Sequence, residues 1–224
     1  MSSIRHKAVK ASLEQGYASE WNDDHHIDFT DELLQDWVFS STNIPDEFTT
    51  SLSGTGAIDV YMVNNHNFLN IETVATGSSV ASLILGDDDV TNKLDLPIFT
   101  TAVRLEDVDL AEYGFFVKAG APFTANQKGA YFRCTGGNIY AVCGNGVSET
   151  AVLIGAYSEY AQYKIEFTST SVRFYINNLA TPEETITTNI PTDDLTLKIS
   201  AKNQTAAERI LRVDGIALMR LRKK

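Results

Sequence analysis

A chain of 224 residues, 43% of them hydrophobic, is long enough to bury a sizeable core, and all-β sandwiches often reach this length as one unit. Its net charge of −11 repels phosphate backbones and argues against a nucleic-acid partner, while favouring solubility at high copy number. No run approaches the roughly 18 apolar residues of a membrane helix, and the opening Met1-Ser2-Ser3-Ile4-Arg5-His6-Lys7 has no apolar stretch behind its basic residues, so neither membrane insertion nor a secretory signal is expected.

The first 36 residues differ from the rest. Val9 to Gln15 can form a short helix, Glu20 to His26 is polar around a single tryptophan, and Asp31 to Trp37 reads as a helical turn capped by Thr30 or Asp31. Such a segment cannot bury a core alone, so residues 1–36 are read as an attachment or docking segment and residues 37–224 as the folded domain. Trp21, Asn22 and His25 are its candidate partner-binding residues, because a conspicuous aromatic in a polar stretch can anchor in a partner's pocket. A tryptophan that folds back onto its own domain would look the same. Asp23, Asp24, His25 and His26 carry metal-ligating atoms, but adjacent residues point in different directions, and hydrogen bonding is the simpler role for the histidines.

From about Val38 the pattern turns to β. Stretches rich in β-branched and aromatic residues are punctuated by Gly, Asn, Asp and Pro every 8–12 residues. Strands are expected over Ala57–Val63, Phe68–Val74, Ser79–Leu85, Ile98–Leu105, Tyr113–Ala119 and Gly129–Cys134. Others follow over Asn138–Val142, Ala151–Ile154, Tyr163–Thr168, Ser171–Ile176, Leu195–Ser200 and Leu211–Arg220. Twelve short strands with few convincing helices argue for an all-β, two-sheet antiparallel sandwich with a short N-terminal extension.

Two hairpins can be read in detail. In Tyr163 to Ile176, pairing Phe167 with Val172 sets Ile165 opposite Phe174 and Tyr163 opposite Ile176, which puts all six on one face; Asn177-Asn178 supplies the next turn. Cys134 and Cys143 flank a second turn. A Gly136-Gly137 turn sets Cys134 opposite Ile139, whereas a Gly137-Asn138 turn sets it opposite Ala141. Either way Cys143 lies further along the same face, a disulfide is strained, and two buried free thiols are expected. The basic end, Arg220, Arg222, Lys223 and Lys224, reads as a solvated last strand, with an acidic neighbouring subunit as the sharper alternative.

Three stretches carry a family resemblance: Ala111–Val117 followed by Gly129–Arg133, the Tyr163–Asn178 hairpin, and Arg209–Arg220. Over roughly residues 50–221 the chain resembles the concanavalin-like jelly-roll superfamily of legume lectins, laminin-G-like modules and some glucanases. The first stretch then looks like adjacent strands of the concave sheet. The leader resembles something else: His6-Lys7-Ala8, Gly16 and Glu20-Trp21-Asn22-Asp23-Asp24-His25 are similar to short leaders of tail, fibre and head-decoration proteins of tailed viruses. That resemblance implies a virion structural protein, made in the host cytoplasm, whose leader docks on other virion proteins and whose sandwich is displayed. Such appendages are commonly symmetric homo-oligomers, and a trimer would suit a fibre or spike.

Catalysis is not expected. Glycoside hydrolysis needs two carboxylates roughly 5–9 Å apart, and the glucanases of the superfamily carry an E-x-D-x-(x)-E strand that is missing here. Glu106-Asp107-Val108-Asp109, with Glu112 following, is the nearest cluster, and it falls in an expected turn where charges are normally solvated. Three of the four histidines sit in the leader, which leaves no serine triad, and Ser53-Gly54-Thr55-Gly56-Ala57 lacks the lysine and helix of a P-loop. No cofactor is called for. Asp87, Asp88 and Asp89 offer the oxygens calcium favours but lack the glycine and distal glutamate of an EF-hand loop. Binding of a host-surface glycan, as in a lectin-like module, is the alternative function, with Tyr113, Tyr131, Tyr140, Tyr175 and Asn177 as contributors where they face solvent. Strand aromatics more often belong to the core.

Overall fold

Where apolar and polar residues alternate, the backbone is extended. The computed structural model describes residues 32–38, 43–63, 66–73, 79–86, 95–106, 110–157, 160–203 and 209–221. Among them run fifteen strands: β1 (Glu32–Val38), β2 (Phe48–Ser53), β3 (Gly56–Val63), β4 (His66–Thr73), β5 (Val80–Leu85), β6 (Ile98–Glu106), β7 (Leu110–Phe116), β8 (Gly129–Thr135), β9 (Asn138–Gly144), β10 (Glu149–Ala156), β11 (Tyr160–Phe167), β12 (Val172–Ile176), β13 (Glu184–Ile186), β14 (Thr196–Lys202) and β15 (Arg209–Leu221). All pairings are antiparallel. The seven-stranded sheet has the order β10-β9-β8-β7-β14-β5-β2, and the eight-stranded sheet runs β13-β12-β11-β6-β15-β4-β3 with β1 added on β15. This is the two-sheet jelly-roll sandwich.

Aromatic rings join the sheets. Tyr113 and Phe132 of the seven-stranded sheet meet Tyr163 of the other edge-on, each at 5.0 Å between centroids, and Phe132 meets Phe174 at 5.3 Å. Phe115 packs on Phe99 and Phe167. Burying each such ring is worth about 1.5–3 kcal/mol. The β11–β12 hairpin has the expected register, Phe167 to Val172, Ile165 to Phe174 and Tyr163 to Ile176, with all but the half-buried Ile176 sealed inside.

Each of the twelve expected strands is present, and the β8–β9 turn is Gly136-Gly137, with Cys134 opposite Ile139. Both glycines have positive φ, +57° and +77°, which suits a tight hairpin. Both cysteines are free and buried.

One expectation is overturned. Asp31 to Trp37 does not supply a helical turn: Glu32–Val38 is strand β1, paired with β15 from Glu32 opposite Leu221 to Val38 opposite Gly215. Residues 32–36, grouped with the leader by sequence, therefore run inside the sheet. The apolar pairs Leu33-Leu34 and Trp37-Val38 have helical spacing. The free edge of β15 and the core site for Trp37, edge-on to Phe48 at 5.0 Å, outweigh that local preference. The leader residues 1–31, including Trp21, Asn22 and His25, lie outside the described residues, as do Asp87, Asp88 and Asp89.

Candidate functional site

Register aligns one side chain from each strand of the seven-stranded sheet in a row across its outer face: Ser51, Ser82, Ser200, Glu112, Arg133, Tyr140 and Leu153. Their chain neighbours Ala81, Ile199, Ala201, Ala111, Tyr113, Phe132, Ile139 and Ala141 are core residues, so alternation turns this row outward.

Glu112 is the centre of the row and is 0% exposed as a side chain. It is the lone charge in Leu110-Ala-Glu-Tyr-Gly-Phe-Phe116, and it lies within β7, as the family resemblance over Ala111–Val117 implied although the strand expected from local pattern began only at Tyr113. One carboxylate oxygen accepts from Arg133 Nε at 2.9 Å and the other from the Phe123 backbone N–H at 2.9 Å. Arg133 extends on, its terminal nitrogens donating to both oxygens of Glu149 at 2.8 and 3.2 Å and to the Tyr131 hydroxyl at 2.8 Å. Burial pushes the Glu112 carboxyl up from its ordinary value, against the pull of Phe123 and Arg133. Burial works to lower Arg133, but its bonds to Glu149 and Glu112 outweigh that and hold the guanidinium charged.

A strap covers the middle of this face. The β7–β8 connection, residues 117–128, is pinned by Glu112 at Phe123 and by Lys198 Nζ, which donates to Gly120 O at 2.7 Å. Lys198 is 2% exposed, and burial lowers its pKa. Phe123 holds φ +62°, a left-handed conformation that costs a non-glycine residue about 1–3 kcal/mol. Gly144 lies directly beneath the Gln127 carbonyl, with no space for a side chain.

Beyond the strap the face becomes apolar, closed over Phe116, Tyr131 and Val142 and exposed only toward the edge strand. Phe116 and Tyr131 stack at 4.6 Å, Val142 and Tyr140 pack on them, and Leu153, 55% exposed, stands opposite Tyr140 on the edge strand. The result is a half-buried aromatic and an exposed aliphatic side chain beside a charged, multi-donor cluster. That combination can stack on a sugar ring while Arg133 and Glu149 bond its hydroxyls.

The glycan candidates named from sequence do not converge. Tyr113 is fully buried between the sheets, its hydroxyl 3.5 Å from Cys134 Sγ, and so cannot reach a ligand. Tyr131 faces outward but is sealed under Arg133 and Phe116. Tyr175 lies on the outer face of the other sheet, roofed by Lys164 Nζ at 4.1 Å and bonded to Glu166. Asn177 takes φ +58° at the turn after β12, where its side chain accepts from the Gln162 backbone N–H. Only Tyr140 of the five joins the open sector. Glu112, Arg133, Glu149 and Lys198 were not singled out by sequence reasoning as site residues. The signal available was a charge set among apolar residues in a strand.

No protein-family model and no curated protein matches the chain. Solved structures match it in fold. A protein of unknown function from Shewanella oneidensis MR-1 is similar over 87% of this chain and 90% of its own, with TM-score 0.65 and 10% identity. A Bacteroides ovatus GH16 enzyme from a mixed-linkage glucan locus, solved with an oligosaccharide product, covers 81% of this chain and 98% of its own, with TM-score 0.60 and 7% identity. The exoplasmic/lumenal domain of VIP36, bound to calcium and Man2, covers 84% of this chain and 88% of its own at TM-score 0.57 and 10% identity. The chain thus shares the two-sheet jelly-roll fold of these solved structures.

Proposed function

We propose that this protein is a non-catalytic carbohydrate-binding module whose binding surface is the outer face of the seven-stranded sheet around Tyr140, Leu153, Arg133 and Glu149. The observation that carries the reading is the half-buried Tyr140 with the exposed Leu153 opposite it, beside the Arg133–Glu149 clamp, on a fold whose solved neighbours include a Man2-bound domain and a GH16 enzyme in complex with its product. The carboxylates of that face favour binding over hydrolysis. Glu112 is enclosed beneath the strap, and both Glu112 and Glu149 are engaged by Arg133, so neither stands ready as a free acid or base.

Affinity electrophoresis against neutral polysaccharides, lichenan and mannan among them, tests the reading. Retardation should be lost on Tyr140→Ala while the fold is kept. A protein that passes unretarded through every gel, or that releases reducing ends from lichenan, overturns it. The virion-display role is a finer proposal, supported by the leader residues 6–25 alone, and is compatible with sugar recognition at a host surface. Mass spectrometry of purified particles tests it, with absence of the chain as the negative result.

A further inference from the structure

Asn145-Gly146 is the one Asn-Gly step in the chain, and it opens the turn between β9 and β10. Gly146 holds φ +90°, and a Cβ there would sit 2.6 Å from Lys128 Cε, so backbone conformation and packing both disfavour a side chain. The Asn145 amide oxygen accepts from the Val147 and Ser148 backbone N–H groups at 2.9 and 3.0 Å, the local bonding asparagine favours at a chain reversal.

The same amide closes a clasp between the sheets. Asn145 Nδ2 donates to Asn189 Oδ1 at 3.1 Å, and the Ser148 hydroxyl donates to that oxygen at 3.1 Å. Asn189 lies in the connection that follows β13 of the eight-stranded sheet and holds φ +53°. It returns its own Nδ2 to Thr150 Oγ1 of β10 at 3.0 Å, and the Thr150 and Thr188 hydroxyls meet at 2.7 Å. Asn145 is half-buried at the head of this network, and Gly146 beside it is exposed to solvent.

We propose that Asn145 is a self-modifying site: its amide cyclises onto Gly146 and is lost as ammonia, which opens the clasp. The Gly146 nitrogen attacks Asn145 Cγ. The new N–Cγ bond replaces Cγ–Nδ2, the Gly146 amide proton leaves on the departing nitrogen, and a five-membered succinimide results. Water then opens either carbonyl of the ring, giving aspartate or isoaspartate. The turn is arranged for this step. An amide oxygen bonded forward to Val147 and Ser148 draws Cγ toward the Gly146 nitrogen, which precedes both in the chain. Those two N–H groups stand where negative charge develops on the oxygen as the tetrahedral adduct forms. Gly146 has no side chain to obstruct the approach, and solvent reaches it for the hydrolysis. The product carboxylate offers only acceptors to Asn189 Oδ1, where Nδ2 had donated. Isoaspartate also adds a methylene to the backbone of the turn.

Storage of the intact folded chain at pH 8, followed by peptide mapping with mass spectrometry, tests the proposal against a synthetic peptide of residues 141–150. Asn145 should convert before every other asparagine of the chain and at least as fast as in the peptide, with isoaspartate the larger product. Asn145→Gln, whose longer side chain would need a six-membered ring, should stay unconverted at that position over the same period. The converted fraction, separated by anion exchange through its added negative charge, should melt several degrees below the unconverted one. Asn189→Ala, which cuts the clasp from the other side, should cost wild type more than it costs Asn145→Asp. Asn145 left intact in the folded chain while the peptide converts overturns the site, because the turn then protects the amide. A converted fraction that melts with the unconverted one overturns the opening of the clasp, as does an equal cost of Asn189→Ala in both backgrounds.

Discussion

Arg133 carries more of the seven-stranded sheet's outer face than any neighbour, because it satisfies Glu112, Glu149 and the Tyr131 hydroxyl together. Removing it leaves a sealed carboxylate without its cation, so Arg133→Met should cost about 3–5 kcal/mol in urea unfolding. Glu112 supplies a pH signature. Its folded pKa is raised above the ordinary 4.5, chiefly by burial, so its contribution to stability is complete below 4.5 and declines as pH climbs through the folded value. Glu112→Gln cannot ionise. The melting temperature of wild type relative to Glu112→Gln should therefore fall between pH 4 and pH 7; a rise would mean that Arg133 outweighs desolvation. The buried thiols respond in the same physical terms. Burial pushes Cys134 up to about 12 and Cys143 higher still, which suppresses the reactive thiolate. An aromatic disulfide reagent at pH 8 should titrate neither thiol in the native protein and both in guanidinium.

At the scale of elements, β7 depends on Gly114. A Cβ there would sit 2.6 Å from Ala130 O and 2.7 Å from Ile165 Cδ1 of the facing sheet, at φ +146°. Gly114→Ala should cost about 3 kcal/mol in thermal or urea melts, combining overpacking with backbone strain. β1 has a comparable role, since Trp37 is 7% exposed and bridges to Phe48 of the other sheet. Trp37→Ala should cost about 3–5 kcal/mol, and an unchanged melting temperature would show that β1 contributes little. The β11–β12 hairpin was readable because six alternating apolar residues leave one register that buries them all. β1, β2 and β13 were not readable as strands. β1 has helical spacing, β2 buries only Phe48 of its six residues, and β13 is three residues long. Edge strands lack the alternation that two buried neighbours impose. Local pattern placed β7 three residues late, starting at Tyr113 instead of Leu110, because the charged Glu112 interrupts the apolar run; the resemblance over Ala111–Val117 came nearer the true start.

Across the whole molecule, alternation says which residues face inward but not what lies across from them outside. Tyr113 and Tyr131 differ by no local signal; one is sealed between the sheets and the other beneath an arginine. Arg104 and Arg212 are 108 residues apart in the chain yet face one another, because β15 closes the eight-stranded sheet beside β6. The same long-range pairing governs how the protein folds. β14 joins β5 to β7, β15 joins β4 to β6, and the Tyr113–Phe132–Tyr163–Phe174 cluster draws on both sheets, so neither sheet can complete its core without the other. Unfolding should accordingly be one cooperative transition, with far-ultraviolet dichroism and near-ultraviolet aromatic signals superimposing in urea. Refolding should be slow, milliseconds to seconds or longer, because distant strands must meet before the rings can pack. Two separated transitions would show that one sheet holds together without its partner, and the shared aromatic core would then be a contact between independent layers.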